Sequence, residues 1–121
     1  MEVKDFLIVE DEPDLSAIIL NMVEYFGNKG QIAENANKAL NSIKHHKFDF
    51  FILDLTLPDK NGIQLYNEII KQNPDCRGKV IFTSGLNISK ELQKIIEEDG
   101  AMFLAKPFTI DEFQILLKDI G

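Results

Sequence analysis

The chain has 121 residues, enough for one domain with a single hydrophobic core. Hydrophobic residues make up 45% and charged residues 27% of the sequence, which are ordinary values for a globular protein. The formal net charge of -7 argues against direct binding of nucleic acid or of an anionic membrane surface, because both attract basic proteins.

The amino-terminal segment and the single cysteine set an expectation for the cellular compartment. Residues 1–5 include acids, and the first apolar run ends at Val9, so this segment resembles neither a signal peptide nor a membrane span. Cys76 has no partner for an internal disulfide, which fits a reducing compartment. We therefore expect a cytoplasmic protein consisting of a single domain, residues 1–121, with no second domain attached.

Five short runs have the length and the β-branched, aliphatic and aromatic content of strands. In chain order they cover residues 6–9, 31–34, 50–53, 79–82 and 102–104. The second run is short and only weakly apolar, which predicts a position at or near the edge of a sheet. The third run ends abruptly in a carboxylate, Asp54, which a buried core does not need.

Apolar residues recur at helical spacing after each of these runs and predict five helices. Pro13 suits the first position of the first helix, with the preceding acid Glu12 as its N-cap, and Gly27 and Gly30 supply the stop. Residues 109–112 form a capping box at the start of the last helix. The apolar stripes are Leu15, Ile18, Ile19, Met22, Val23 and Phe26; Ala36, Ala39, Leu40 and Ile43; Ile63, Tyr66, Ile69 and Ile70; Ile88, Leu92, Ile95 and Ile96; and Ile110, Phe113, Leu116, Leu117 and Ile120.

The strict alternation of strand and helix predicts an α/β fold in which a five-stranded parallel sheet carries helices on both faces. Right-handed crossovers leave few topologies, and we expect the order 2-1-3-4-5 of the flavodoxin-like doubly wound sheet. In this order the chain reverses its direction of winding between strands one and three. Open α/β sheets bind ligands at that point, beyond the carboxyl ends of the strands.

Chemically active side chains follow four of the five predicted strands. Glu10 and Asp11 follow the first, Asp54 the third, Thr83 the fourth and Lys106 the fifth. Two carboxylates about 4 Å apart repel each other by roughly 4 kcal/mol at a surface-like dielectric. Three of them together therefore favour a hard divalent cation, Mg²⁺ with Mn²⁺ as an alternative.

A carboxylate can also accept a phosphoryl group and form an acyl phosphate. In-line transfer depends on positioning and charge neutralisation more than on covalent help from the protein. Lys106 offers a positive charge and Thr83 a hydroxyl for the oxygens of such a group. The residues at this sheet edge are therefore those that phosphoryl transfer to Asp54 needs.

In these features the whole chain resembles a receiver domain of the two-component response regulators of bacteria and archaea. Each motif is weak alone, but their order and intervals together are highly specific. The motifs are Glu10-Asp11, Asp54-x-x-x-Pro58-x-x-x-Gly62, Thr83-Ser84-Gly85 and Lys106-Pro107-Phe108.

The resemblance implies a role for each residue of the acidic site. Asp54 would accept the phosphoryl group from the phosphohistidine of a kinase and would also contact the metal. Asp11 would bind Mg²⁺ directly, and Glu10 would bind it through water. Thr56 would offer its backbone carbonyl to the metal.

The resemblance also implies a set of residues for the switch. Thr83 and Lys106 would bind phosphoryl oxygens, and Phe103 would turn inward as Thr83 moves. The bond before Pro107 is expected to be cis, which only a bond preceding proline adopts cheaply. Glu10 stands where aspartate is commoner, and Phe103 stands where tyrosine is frequent, so any partner contact through a tyrosine hydroxyl is lost.

The implied function is a phosphorylation-controlled signalling switch that acts through the face of helix four, strand five and helix five and is not an enzyme. Its partners would be a sensor histidine kinase or phosphotransfer protein and an unidentified downstream protein. The chain itself would be a monomer or a phosphorylation-dependent dimer. A phosphorelay intermediate and a receiver from a hybrid kinase remain open.

Two functions of other kinds are weighed against the switch. One is a metal-dependent phosphohydrolase with an aspartyl nucleophile. The haloacid-dehalogenase type places an acid two residues after the nucleophile, where this chain has Thr56. The other is a constitutive interaction module, against which the intact acids, Thr83 and Lys106 argue.

Other polar residues have ordinary structural interpretations. Glu12 is expected to cap the first helix, and Asp59 and Asn61 are expected to form a turn. His45 and His46 have no ligand partners at a suitable spacing and are expected to face solvent at a helix end.

Overall fold

The computed structural model describes residues 2–120. Within that range five strands alternate with five α-helices, and a 3-10 helix, Pro74–Lys79, precedes the fourth strand. The strands are β1 (Asp5–Val9), β2 (Lys29–Ala33), β3 (Phe50–Asp54), β4 (Val80–Ser84) and β5 (Met102–Ala105). The helices are α1 (Pro13–Tyr25), α2 (Ala36–His45), α3 (Gly62–Gln72), α4 (Lys90–Asp99) and α5 (Ile110–Ile120).

The sheet is parallel throughout and has the order β2-β1-β3-β4-β5, which confirms the predicted flavodoxin-like topology. The register aligns the carboxyl ends of the strands at one end of the sheet. Val9 of β1 pairs with Leu53 of β3, and Asp54, the next residue, pairs with Thr83 of β4. Residues that end or follow neighbouring strands therefore meet at this end of the sheet.

Alternate residues of the central strands point into two separate cores. Leu7, Leu53 and Phe82 lie in the core that also contains buried residues of α2, α3 and α4. Phe6 and Ile52 lie in the other core, which α1 and α5 cover. Burial on both faces is the reason that these strands are continuous apolar runs without polar alternation.

Among residues 2–120, no helix has both the length and the apolar composition that a membrane crossing requires.

The end of α1 and the start of β2 differ from the predicted boundaries. Gly27 takes the left-handed conformation, with φ +86°, and ends the helix as predicted. Gly30 is not a stop, because it lies within β2. A Cβ at Gly30 would lie 2.7 Å from Leu20 Cδ1, so the glycine allows α1 to pack closely on the edge strand.

Helix caps are partly as predicted. The Thr109 and Glu112 side chains each accept a hydrogen bond from the other's backbone N–H, which confirms the capping box. Glu12 occupies the predicted N-cap position of α1, but its side chain makes no capping hydrogen bond. Helix α4 begins after Ser89, whose Oγ accepts from the Leu92 N–H, so Ile88 lies outside the helix that its spacing suggested.

Helix α4 contacts the core through Leu92, Ile95 and Ile96. Leu92 is its only fully buried residue among those described, and its last turn has no basic residue to complement the helix dipole. A buried phenol compensates at the carboxyl end, where Tyr66 of α3 donates to Asp99 Oδ2 over 2.7 Å. Burial, reinforced by that acceptor, raises the pKa of Tyr66, so the phenol stays protonated and keeps donating.

We expect Tyr66→Phe to lower the free energy of unfolding by about 1–2 kcal/mol, because a hydrogen bond to a charged group is lost while Asp99 regains water. Amide exchange should accelerate most in the last turn of α4. Tyr25→Phe is the matched control, since Tyr25 is the other tyrosine and is exposed. The chain has no tryptophan, so urea unfolding is followed by circular dichroism. Equal stability of the two variants would contradict the role given to this bond.

Candidate functional site

Three carboxylates meet where β1 and β3 end. Glu10 and Asp11 follow β1 and Asp54 is the last residue of β3, and one oxygen of each lies within 4.8 Å of the others. Glu10 is 2% and Asp54 is 5% exposed, whereas Asp11 faces solvent. Carboxylate oxygens at this spacing, with one side open to water, are the ligands that Mg²⁺ prefers. The cluster can therefore hold a hard divalent cation.

Lys106 brings one positive charge to this cluster. Its Nζ lies 2.7 Å from Glu10 Oε1 and 3.3 Å from Asp54 Oδ1. The backbone N–H of Lys106 donates to the Ser84 carbonyl over 2.8 Å, which continues the pairing of β5 with β4 and brings the side chain back over the site. The peptide bond between Lys106 and Pro107 is cis.

Burial acts in opposite directions on the pKa of Glu10 and on the pKa of Lys106. Burial raises the pKa of Glu10 above its ordinary value of 4.5, although the ammonium of Lys106 and the N–H of Glu12 act to lower it. Burial alone would lower the pKa of Lys106, but the hydrogen bond to Glu10 and the negative charge of Asp54 raise it instead. Lys106 is therefore fully charged at neutral pH, and it partly screens the crowded carboxylates.

The backbone around Asp54 holds its carboxylate at the edge of the sheet. The Thr56 N–H donates to Asp54 Oδ1 over 3.2 Å, and the Leu55 N–H donates to the Thr83 carbonyl over 3.0 Å. Thr83 is buried directly opposite Asp54 in the parallel register. The hydroxyl-bearing residue thus lies beside the carboxylate, as its position at the end of β4 predicts.

Glycine is required where α3 begins. A Cβ at Gly62 would lie 2.6 Å from the Asp54 carbonyl oxygen and 2.9 Å from Leu55 Cα, which is closer than real contacts allow. The Gly62 N–H donates to the Leu55 carbonyl over 2.9 Å. The loop after Asp54 is therefore closed against the strand itself, which limits how far Asp54 can shift.

Thr56 and Phe103 lie at the margins of the cluster. Thr56 is exposed and forms an isolated bridge with Asn61. Phe103 is half-buried in β5 and packs against the core beneath α2, α3 and α4.

Asp59 has a role that the sequence interpretation missed. Its two carboxylate oxygens accept from the N–H groups of Ala36 and Asn37, each over 2.9 Å, so it caps α2 from a distant loop. Asp59 is exposed, and although a small loss of hydration acts to raise its pKa, these backbone donors lower it. Asn61 is likewise more than a turn residue, because it forms a capping box with Gln64 at the start of α3. The spacing Asn-x-x-Gln was the available signal for the second role, while nothing local pointed to the first.

The acidic cluster lies at the switch point of a doubly wound parallel sheet, which is where α/β proteins of this class bind their ligands. The chain belongs to the response regulator receiver domain family, whose model matches residues 6–118.

Relatives and solved structures agree with that assignment. The chain is 34% identical over 116 residues to the transcriptional regulatory protein MalR of Bacillus subtilis and 30% identical over 115 residues to the aerobic respiration control sensor protein ArcB of Escherichia coli. It also superposes, with a TM-score of 0.86 at 26% identity, on a CheY-like response regulator receiver domain protein from Methanospirillum hungatei JF-1, covering 98% of this chain and 94% of that one.

The two named relatives are longer than the matched region. Each match takes in 93% of this chain, but it spans 48% of MalR and 14% of ArcB. The similarity therefore describes the receiver part of those proteins.

The raised pKa of Glu10 predicts a pH dependence of stability in the absence of divalent cations. A carboxyl group that holds its proton more tightly when folded contributes stability below pH 4.5, and this contribution is lost as pH rises through the folded value. The free energy of unfolding of the wild type, relative to Glu10→Gln, should therefore fall above pH 4.5, by at most about 1.4 kcal/mol per pH unit. Urea titrations of both proteins across this range measure the difference, and a rise with pH would contradict the direction given.

Proposed function

We propose that the chain is a phosphorylation-controlled signalling switch in which Asp54 accepts a phosphoryl group from the phosphohistidine of a kinase. The observation that carries this is the position of Asp54. Its carboxylate lies at the end of a buried strand, within 4.8 Å of two other carboxylates and 3.3 Å from the Lys106 ammonium. Membership of the receiver family, whose members exchange signals with histidine kinases or phosphotransfer proteins, supports the same conclusion.

In this proposal an Asp54 oxygen attacks phosphorus, the bond from phosphorus to the histidine nitrogen breaks, and the histidine leaves with the electron pair. Lys106 moves from Glu10 onto a phosphoryl oxygen, and Thr83 donates to another. Glu10, Asp11, Asp54 and the Thr56 carbonyl would hold Mg²⁺ or Mn²⁺, and the bound ion would supply positive charge for the phosphoryl oxygens. The chain does not turn over an external substrate, because the product is its own modified side chain.

The signal would leave through the face formed by α4, β5 and α5. Drawing Thr83 toward the phosphoryl group shifts the loop after β4, which opens space for Phe103 to turn inward. Helix α4 has little buried surface to resist such a shift. The added charge at Asp54 then biases a two-state equilibrium of this face.

Phosphorylation of Asp54 is tested by incubating the protein with Mg²⁺ and a small phosphodonor such as acetyl phosphate and weighing the intact chain. We expect the wild type to gain one base-labile phosphoryl group and Asp54→Asn to gain none. Asp119→Asn, an exposed change near the end of α5, is the matched control and should behave as the wild type does. Equal labelling of Asp54→Asn, or no labelling of the wild type, would refute the proposal.

The role of Phe103 is tested by measuring phosphorylation of Asp54 and the conformational change of α4 and α5 separately. Phe103→Ala should accept the phosphoryl group at a wild-type level, because the ring lies outside the acidic cluster. It should lose most of the change in α4 and α5 amide NMR shifts that beryllofluoride and Mg²⁺ produce in the wild type. Phe103→Tyr keeps the ring and serves as control. Loss of phosphorylation together with the shift changes would count against this scheme.

A second candidate places the same chemistry in a relay or a hybrid kinase. The similarity to the sensor protein ArcB favours it as directly as the similarity to MalR favours a regulator. The two differ in the partner, a phosphotransfer protein or a downstream target, and a pull-down with and without beryllofluoride distinguishes them.

We also propose that the chain is a monomer, or a dimer formed on phosphorylation. We further propose a cytoplasmic location, which the buried free thiol of Cys76 fits.

A further inference from the structure

A cavity of about 420 Å³ lies at the end of the sheet opposite the acidic cluster. It is bounded by the end of α2, the residues leading into β3, the end of α3 and the 3-10 helix. Its volume is within the range of about 300–1,000 Å³ that is usual for small-molecule sites. Because the strands are parallel, a molecule bound there would not touch Asp54.

The floor of this cavity is apolar. Phe48, Phe51, Ile69 and Cys76 line it and are each buried. The rings of Phe48 and Phe51 meet edge to face with their centroids 6.1 Å apart. This floor suits an aromatic ring or a short hydrocarbon chain.

The rim carries positive charge. Residues 44–47, with the sequence Lys-His-His-Lys, are all exposed and all line the cavity. None of the lining residues is acidic, although the chain has 20 acids against 13 lysines and arginines. Lys44 and His45 complement the dipole of α2, the ring of His46 packs on Phe48 with the two centroids 4.7 Å apart, and Lys47 lies beyond the helix.

Nearby acidic residues pair with only part of the positive charge on this rim. Asp5 Oδ2 lies 3.7 Å from His46 Nε2, so it is placed to pair with that histidine when it is protonated. Asp75 adjoins Cys76 in the 3-10 helix but is not itself among the residues that line the cavity. Neither Lys44 nor Lys47 has a salt-bridge partner among the described residues.

We propose that this cavity binds small apolar carboxylates, with the hydrocarbon part on the phenylalanine floor and the carboxylate against Lys44 and Lys47. The apolar floor alone would accept a neutral molecule, and the lysines alone would accept any anion. The combination selects a molecule that has both parts. The proposal does not depend on phosphorylation of Asp54.

The probe is 1-naphthoate, titrated into the full chain while amide NMR shifts are recorded. We expect saturable shifts confined to residues 43–51 and 69–76. The neutral analogue 1-naphthalenemethanol should bind at least about fivefold more weakly, and inorganic phosphate should leave these amides unmoved. Absence of saturable shifts at these residues, or equal binding of the neutral analogue, would overturn the proposal.

Charge variants separate the local lysines from the net charge of the protein. Lys44→Gln combined with Lys47→Gln should weaken naphthoate binding roughly five- to tenfold, as expected for two solvent-exposed charge contacts. Lys90→Gln combined with Lys118→Gln is the matched control, since it removes two exposed lysines elsewhere and should change affinity less than about twofold. Equal weakening by the two pairs would show that only long-range charge matters and would refute the site.

Discussion

The repulsion among three carboxylates at the carboxyl ends of β1 and β3 is the constraint on which the site depends. Two of them are buried, so water cannot relieve the repulsion, and one ammonium is shared between them. When all are ionised, three negative charges face one positive charge, which leaves an excess of two. At a surface-like dielectric each close pair costs roughly 4 kcal/mol. The chain alone does not remove that cost, and the arrangement therefore favours an added cation and a mobile Lys106.

The surrounding backbone explains why the repulsion does not simply push the acids apart. Gly62 lets the start of α3 rest on the last residues of β3, and Asp59 fastens the loop between them to α2. Glu10 is held from its own loop, because the Glu12 N–H donates to its Oε2 over 3.1 Å. These contacts keep the carboxylates close together, so a bound charge can act on all of them at once.

The sequence predicted the strands, the order of the elements and the capping box at the start of α5, whereas the capping box of Asn61 with Gln64 was missed. The run before Asp54 predicted a buried strand, and the order of strands and helices predicted the topology and brought Glu10, Asp54 and Lys106 to one edge. The capping box at residues 109–112 depends only on adjacent residues and was predicted correctly. In contrast, Glu12 occupies the N-cap position that the pattern predicts, but its side chain makes no capping hydrogen bond.

Features that depend on side chains meeting across the fold could not be predicted in this way. Tyr66 belonged to an apolar stripe and was assigned to the core, which is correct for its ring but gives no hint that its hydroxyl reaches Asp99, 33 positions away. Asp59 caps α2 from 23 positions downstream of Ala36. The 3-10 helix, Pro74–Lys79, has no periodic pattern because it is too short to show one.

The direction of the helices gives the molecule an electrical polarity that accounts for where it can change shape. Each helix runs back against the parallel strands, so helix amino ends lie near the acidic cluster and carboxyl ends lie near the basic cavity. Acids begin α1 and α5, and basic residues end α2, α3 and α5, all in the sense that the helix dipole favours. Helices α1 and α4 both lack a basic residue in the last turn, and α4 in addition ends in three acids, residues 97–99. Helix α4 therefore combines one fully buried residue among those described with a carboxyl end whose charges oppose its dipole, and both features lower the cost in free energy of displacing it.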